Sequence, residues 1–107
     1  MSFTLDDLAA LIKSRRVDDA STSYTKTLLD SGMPRIAKKF GEEAVETVIA
    51  AMEDDRSALV NEAADTLYHL LVMLEARDIS LDDVLHELER RTKQSGLAEK
   101  AARGAKE

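Results

Sequence analysis

The feature that most restricts how this chain can fold is a pair of carboxylate clusters, each inside an otherwise apolar segment. The first holds Glu42, Glu43 and Glu46, and the second, after fifteen intervening residues, holds Glu62 and Asp65. Burying an ionised carboxylate without a partner is costly, and gathered carboxylates repel one another unless a cation lies between them. We expect Glu62 and Asp65 to be buried at the centre of the fold. The pattern indicates a site for hard metal ions.

Length and composition predict one globular domain over residues 1–107, with a mobile tail over residues 97–107. An apolar content of 44% and a charged content of 34% are typical of such domains. The absence of cysteine excludes disulfides and thiolate metal sites. The longest uncharged apolar run, Thr66 to Leu74, is too short to cross a bilayer, and the first residues lack the features of a signal peptide. We therefore expect a cytoplasmic protein without membrane contact.

The net charge of −6 argues against nucleic acid as a partner. Nucleic-acid binders normally carry a basic face, and this sequence has no basic stripe with interleaved aromatic residues.

Apolar residues recur with helical spacing, which predicts five helices, no strand and an antiparallel helical bundle. Capping boxes at Thr4–Asp7 and Ser80–Asp83 mark the starts of the first and last helices. The first helix is expected to end near Arg15 and Arg16, and a loop is expected over residues 17–22.

The middle three helices have their own boundary signals. A short helix from Ser23 to Asp30 should stop at Gly32. Pro34 suits the first turn of a long helix that runs to about Asp54. The fourth helix, about Ser57 to Arg77, is apolar nearly all round, which is typical of a central helix.

Each cluster places its carboxylates on one helix face. Glu43 and Glu46 are three residues apart, as are Glu62 and Asp65, and residues at this spacing are neighbours on a helix. Two such helices side by side would present four oxygen ligands, which suit Mg²⁺ or Mn²⁺. Glu42 is left as a further ligand or as the base that orients a water. One pair alone would be ordinary solvated surface, but two pairs on apolar helices favour a metal site.

A di-iron bundle is an alternative metal site that the sequence disfavours. Such bundles use Glu-x-x-His on two helices, whereas Glu62 is followed three residues later by Asp65. The only similar spacing, Asp83-x-x-His86, lies on a different helix. The chain also lacks a Gly-rich phosphate loop, a nucleophile elbow and a Cys/His pair. Metal-assisted attack by water on a phosphoanhydride fits what remains.

Other polar residues have both a functional and a structural interpretation. His69 would contact a substrate or be a satisfied structural residue. Tyr24 and Thr25 would bind a sugar or base, or serve in capping and packing. A basic run ends the last helix, where positive charge is favoured, or binds phosphate if the tail folds over the site: Arg90, Arg91 and Lys93.

At these residues the sequence resembles the phosphoribosyl-ATP pyrophosphohydrolase family, within the all-α nucleotide pyrophosphohydrolase superfamily. The superfamily pattern is Glu-Glu-x-x-Glu, a spacer and Glu-x-x-Asp, which the five clustered carboxylates match. Three segments narrow the resemblance to this family: Ser23-Tyr24-Thr25, Lys39-x-Gly41-Glu42-Glu43-Ala44, and Asn61 to Val72 with its Tyr68-His69 pair. Thr66 stands where many family members have an aliphatic residue.

The resemblance implies an all-α enzyme that uses Mg²⁺ to hydrolyse phosphoribosyl-ATP to phosphoribosyl-AMP and pyrophosphate, the second step of histidine biosynthesis. It implies four metal ligands, Glu43, Glu46, Glu62 and Asp65. Glu42 and Glu46 would be catalytic, with Glu42 as ligand or base. The implied substrate-binding residues are Lys39, Tyr24, Thr25 and His69.

Two other functions stay open. A house-cleaning (deoxy)nucleoside triphosphate pyrophosphohydrolase of the same superfamily would share the metal site and differ in the groups that read base and sugar. A non-enzymatic helical dimerisation module would need no metal. We expect a homodimer with the third and fourth helices near the interface, because the fourth helix has more apolar surface than one small bundle can cover.

Overall fold

In a computed structural model that describes residues 2–93, 96, 100, 101, 103 and 104, five α-helices have defined bounds between residues 5 and 92. They are α1 (Leu5–Ser14), α2 (Tyr24–Ser31), α3 (Met33–Met52), α4 (Arg56–Ala76) and α5 (Leu81–Thr92). A 3₁₀ turn, Arg15–Val17, follows α1 directly. The sequence predicted that a loop would begin at residue 17. No strand occurs among the described residues, so the predicted all-α fold is confirmed. The predicted mobile tail lies mostly outside the described residues.

Side-chain hydrogen bonds set where the helices begin. Thr4 Oγ1 accepts a 3.0 Å hydrogen bond from the Asp7 amide, and Asp7 Oδ2 accepts one of 3.0 Å from the Thr4 amide, which is the predicted capping box of α1. Ser80 Oγ accepts from the Asp83 amide at 3.2 Å and supplies one half of the predicted box at α5. Gly32, with a φ of 92° that favours glycine, separates α2 from α3.

The turn between α3 and α4 lies at residues 53–55, slightly earlier than predicted. Asp54 has a left-handed φ of 56°, so α3 ends at Met52 rather than near Asp54. Asp55 Oδ1 accepts a 3.0 Å hydrogen bond from the Ala58 amide. This N-cap begins α4 at Arg56, one residue before the predicted Ser57. Because the connection is short, α3 and α4 form an antiparallel helical hairpin.

The core lies where the first four helices meet. Its buried side chains are at most 5% exposed: Ile12, Leu28, Ile36, Leu71 and Val72. Burying a side chain of this size stabilises the fold by about 1.5–3 kcal/mol. The helix α4 contacts α1, α2 and α3, which makes it the central helix that its composition predicts. This packing fixes the position of α4 beside α3.

Arg16, in the 3₁₀ turn, holds the far end of α4. Its guanidinium donates to the carboxylate and the backbone carbonyl of Glu75, and to Asp78 Oδ1 at 2.9 Å. Asp78 has a φ of 58° and lies in the turn toward α5. None of the described helices combines the length and apolarity that a membrane span requires.

Candidate metal centre and substrate site

The two carboxylate clusters meet between α3 and α4. Glu43 on α3 and Glu62 and Asp65 on α4 each contribute an oxygen, and these oxygens all lie within 4.8 Å of one another. The hairpin produces this arrangement because its two helices pack side by side. Such mutual distances match oxygens that share one cation at about 2.0–2.6 Å each. The structure thus brings three of the five carboxylates together as a set of potential metal ligands.

Glu46, one helical turn after Glu43, is exposed and lies outside this set of close oxygens. It is nevertheless near enough to both Glu43 and Glu62 to act on their pKa values. Burial, followed by the charges of Glu46 and Asp65, raises the pKa of Glu43. Burial, followed by the charges of Glu46 and Glu43, raises the pKa of Glu62. In the metal-free protein these carboxyl groups therefore hold a proton more tightly than usual, and a bound metal ion would have the opposite effect.

The surroundings of Glu43 fit a divalent cation. Its side chain is 13% exposed, and its buried Oε2 atom has no hydrogen-bond partner among the described residues. Leaving a buried polar atom unpaired is costly. The nearby donors are carboxylate oxygens, the ligands that hard ions such as Mg²⁺ and Mn²⁺ prefer. A divalent ion would satisfy this oxygen and relieve the repulsion within the cluster.

The expectation that Glu62 and Asp65 are buried at the bundle centre is wrong. Glu62 is half-buried and Asp65 is exposed. The buried face of α4 is formed by Leu71 and Val72, so the carboxylates lie at the edge of the hairpin, where solvent reaches them. The cluster is open to a ligand from outside the fold.

Glu42 and Lys39 lie at the rim of the cluster. Lys39 Nζ is 3.7 Å from Glu42 Oε1 and 3.9 Å from Glu43 Oε1. The Glu42 side chain is 48% exposed and lies outside the set of mutually close oxygens. Partly exposed ion pairs of this kind are weak. Both groups can therefore exchange this contact for one to a bound ligand.

His69 is buried, with 5% exposure, beside the cluster. Its Nδ1 atom lies 2.7 Å from the carbonyl oxygen of Asp65. Because a carbonyl oxygen only accepts, Nδ1 carries the proton and Nε2 of the neutral ring is an acceptor. Nε2 is buried and has no hydrogen-bond partner among the described residues. One nitrogen of His69 thus contacts the backbone of the cluster, and the other is available to a ligand.

Tyr24 and Tyr68 pack against the His69 ring, and Thr25 contacts Tyr68. The rings of Tyr68 and Tyr24 pack edge-on to His69, with centroids 5.0 Å and 6.3 Å away, and they stack on each other at 6.4 Å. The Thr25 hydroxyl is hydrogen-bonded to that of Tyr68. The predicted substrate residues Tyr24, Thr25 and His69 therefore lie together, although Thr25 also has the packing role that the sequence left open.

The basic run that ends α5 makes local ion pairs. Arg90 Nη2 and Arg91 Nε lie 2.7 Å and 2.9 Å from Glu87 Oε2. Hydrogen bonds from these two arginines lower the pKa of Glu87 to about 2. The described contacts of Arg90 and Arg91 thus fit a helix terminus.

A sequence profile of the family described as phosphoribosyl-ATP pyrophosphohydrolase matches residues 5–92. The chain belongs to this family. The phosphoribosyl-ATP pyrophosphatase of Methylobacterium radiotolerans is 60% identical over 102 residues, which cover 95% of each chain. That of Rhodobacter capsulatus is 58% identical, over 94% of this chain and 97% of its own. That of Rhizorhabdus wittichii is 57% identical, over 96% and 97%.

Membership in the phosphoribosyl-ATP pyrophosphohydrolase family confirms the resemblance seen in the sequence. It also confirms that the chain is an enzyme of the hydrolase class. A non-enzymatic dimerisation module therefore does not explain its function. The acidic cluster suits the divalent metal ion that phosphoanhydride hydrolysis commonly uses.

Within this pyrophosphohydrolase, Thr47 is a residue of the site that the sequence interpretation missed. Its hydroxyl lies within hydrogen-bond distance of the Thr66 hydroxyl and of the carbonyl oxygens of Glu43 and Glu62. The sequence signal that could have revealed this contact was the position of the two threonines. Thr47 directly follows Glu46, and Thr66 directly follows Asp65. A hydroxyl beside a cluster residue on each helix predicts a link between the two helices.

Proposed function

We propose that this protein hydrolyses the α–β phosphoanhydride of phosphoribosyl-ATP, releasing phosphoribosyl-AMP and pyrophosphate, with Mg²⁺ as its cation and Mn²⁺ as the alternative ion. This reaction is the second step of histidine biosynthesis. The observation that carries the proposal is the set of oxygens from Glu43, Glu62 and Asp65 within 4.8 Å of one another. Relatives that cover almost the whole chain bear the name phosphoribosyl-ATP pyrophosphatase, which supports this substrate.

Four carboxylates are the proposed metal ligands: Glu43, Glu46, Glu62 and Asp65. A bound Mg²⁺ neutralises phosphate charge and lowers the pKa of a bound water. The contribution of the chain is to hold these groups on two packed helices, so that their lone pairs converge before the ion arrives. Because the pKa values of Glu43 and Glu62 are raised, binding of the ion should become stronger as pH rises.

Glu42 is the proposed base, and it would accept a proton from the attacking water. It is exposed at the rim of the cluster, so its carboxylate can reach a water beside the substrate phosphates while the backbone of α3 stays helical. Glu46, whose charge acts on both Glu43 and Glu62, is the second proposed catalytic residue and orients the ligand set. Lys39, next to both Glu42 and Glu43, would bind a phosphate oxygen as a point charge.

The nucleoside part of the substrate is assigned to Tyr24, Thr25 and His69. His69 Nε2 is a buried acceptor that suits a hydroxyl or amino group of the nucleotide. The half-exposed Tyr24 ring offers a stacking surface for a base, as aromatic side chains commonly do. Thr25 positions Tyr68 through its hydroxyl hydrogen bond.

A homodimer and a cytoplasmic location belong to the same proposal. Apolar side chains on α3 and α4 are between 42% and 83% exposed: Val45, Val48, Ile49, Met52, Val60 and Leu67. Exposed apolar patches commonly mark protein interfaces, and a second copy would cover this patch with its own by two-fold symmetry. The cytoplasm is where a soluble biosynthetic metabolite of this kind is expected.

A pyrophosphate-release assay tests the proposal. Phosphoribosyl-ATP is compared with ATP and deoxynucleoside triphosphates, each with Mg²⁺ and with a chelator. We expect turnover of phosphoribosyl-ATP with Mg²⁺, much slower turnover of the ordinary triphosphates, and none with the chelator. Equal turnover of ordinary triphosphates would instead support the house-cleaning pyrophosphohydrolase.

A further inference from the structure

A cavity of about 280 Å³ opens where α1, the 3₁₀ turn and the start of α2 meet α4. Apolar side chains of α1 line part of it. Its polar lining comes from Arg15, Thr22, Ser23 and Thr25, together with the rings of Tyr24 and Tyr68. The proposed function uses Tyr24 and Thr25 from this lining and leaves the cavity itself and Arg15 without a role.

A row of contacts connects this cavity to the carboxylate cluster. Tyr68 lines the cavity, and its ring centroid is 5.0 Å from that of His69. His69 Nδ1 lies 2.7 Å from the Asp65 carbonyl oxygen. Arg15 lines the same cavity as Tyr68. Burial raises the pKa of the Tyr68 hydroxyl, and the hydrogen bond with Thr25, followed by the charge of Arg15, opposes this rise. Tyr68 and His69 thus lie between the cavity and the proposed metal site.

Arg15 can bind an anion, unlike the residue beside it. Its Nη1 donates to Asp18 Oδ2 at 2.9 Å, and its side chain is 45% exposed. A guanidinium has five N–H donors, and an exposed ion pair of this kind is weak. Arg16, by contrast, is committed to Glu75 and Asp78. The cavity also takes in the first turn of α2, and helix N-termini favour anions.

We propose, resting on the proposed function, that this cavity binds the phosphoribosyl group of the substrate and that Arg15 binds its 5-phosphate. Phosphoribosyl-ATP carries phosphate at both ends, so an enzyme that holds the triphosphate on carboxylate-bound metal needs a separate cation for the far phosphate. Thr22 and Ser23 line the cavity. The Thr22 hydroxyl donates to the Asp19 carbonyl and the Ser23 hydroxyl accepts from the Lys26 amide, so the first keeps lone pairs and the second keeps a proton for a sugar. Arg15 then distinguishes phosphoribosyl-ATP from ATP, which lacks the second phosphate.

The test is steady-state kinetics of pyrophosphate release by Arg15→Gln, with Arg77→Gln as the matched loss of an exposed charge outside the cavity. We expect Arg15→Gln to raise KM for phosphoribosyl-ATP by about tenfold or more, as loss of a charge-assisted hydrogen bond does. The value of kcat should change little, because the 5-phosphate is bound equally in ground and transition states. Ribose 5-phosphate should inhibit the unmodified enzyme competitively and inhibit Arg15→Gln far less.

Asp18→Asn provides a second variant if Arg15→Gln does not fold. Removing the carboxylate that competes for Arg15 should lower KM for phosphoribosyl-ATP. If Arg15→Gln folds, an unchanged KM in that variant would overturn the inference; if it does not fold, an unchanged KM in Asp18→Asn would overturn it. In either case, turnover of phosphoribosyl-ATP by the unmodified enzyme would still support the proposed function. Absence of turnover in the unmodified enzyme would instead overturn the proposed function.

Discussion

The Thr47 hydroxyl on α3 lies 2.7 Å from the Thr66 hydroxyl on α4. The Thr47 oxygen is also 2.9 Å from the Glu43 carbonyl and 3.0 Å from the Glu62 carbonyl. A hydroxyl has one proton, so Thr47 donates to one carbonyl at a time while it accepts from Thr66. This link fixes the register of the two helices at the level where Glu43 and Glu62 face each other.

Thr47→Val should therefore loosen the hairpin and the metal site together. It leaves partly buried acceptors without their donor, which should lower the free energy of unfolding by about 1–2 kcal/mol. In a domain of this size each 1 kcal/mol lowers Tm by about 4–8 °C. Mn²⁺ affinity, measured by titration, should fall as well, because the carboxylates lose their alignment.

Thr66→Val is the matched comparison for Thr47→Val. It keeps the Thr47 bonds to the carbonyls, so it should cost less in both Tm and Mn²⁺ affinity. Equal losses in the two variants, or unchanged Mn²⁺ affinity in Thr47→Val, would show that the link does not position the ligands.

Glu43→Gln and Glu42→Gln should separate metal binding from proton transfer. Glu43 is a proposed ligand with a buried oxygen lacking a described partner, so Glu43→Gln should abolish the increase in Tm that Mg²⁺ causes. Glu42→Gln should retain that increase and reduce kcat by about 10²–10⁴-fold, the usual effect of losing a general base. Thermal unfolding with and without Mg²⁺, alongside kcat, measures both. Normal kcat in Glu42→Gln would remove Glu42 as the base.

The stability of the metal-free protein should depend on pH through Glu62. Burial and the charges of Glu46 and Glu43 raise its pKa in the folded state, so the folded state holds its proton more tightly than the unfolded state does. The stability from this group is present below the ordinary carboxyl pKa and is lost as pH rises through the raised value.

In chelator, then, the stability of the unmodified protein relative to Glu62→Gln should fall as pH rises from the ordinary carboxyl pKa through the raised value. With Mg²⁺ the trend should reverse, because the ion binds the deprotonated cluster. Thermal unfolding of both proteins across this range is the measurement. If the difference in stability between the unmodified protein and Glu62→Gln does not vary with pH, the Glu62 carboxyl is not coupled to its neighbours.

Val48→Asp should break the proposed homodimer. Val48 is 63% exposed on α3, and a charge in an apolar interface must be desolvated without a partner. Light scattering should give a dimer for the unmodified protein and a monomer for Val48→Asp. Ala10→Asp, on the exposed side of α1, adds the same charge elsewhere and should stay dimeric. A monomer for the unmodified protein at micromolar concentration would rule out the dimer.

Local signals in the sequence predicted most of the fold, because they act within a few residues of where they lie. Thr4 and Asp7 cap each other, and Gly32 adopts the positive φ for which it is suited. The left-handed Asp54 and the N-cap Asp55 were read only as a turn, since aspartate serves several turn conformations equally well. Helix ends consequently shifted by a residue or two there.

The site was less predictable, because helical spacing gives the face of a residue but not its depth. The sequence predicted that both Glu62 and Asp65 are buried, yet Asp65 is exposed. The rotation of α4 about its own axis is set by how Leu71 and Val72 pack against other helices. Thr47 was missed for the same reason: its partner Thr66 lies on another helix. Contacts between helices depend on packing that one helix does not encode.

The central claim is that the carboxylates of α3 and α4 form the metal site on which hydrolysis depends. Its most direct test is pyrophosphate release from phosphoribosyl-ATP by the unmodified protein and by Asp65→Asn, with Mn²⁺ binding followed by electron paramagnetic resonance in the same samples. We predict that Asp65→Asn loses both Mn²⁺ binding and turnover, and that a chelator abolishes turnover in the unmodified protein. Turnover that survives both the chelator and Asp65→Asn would contradict the account.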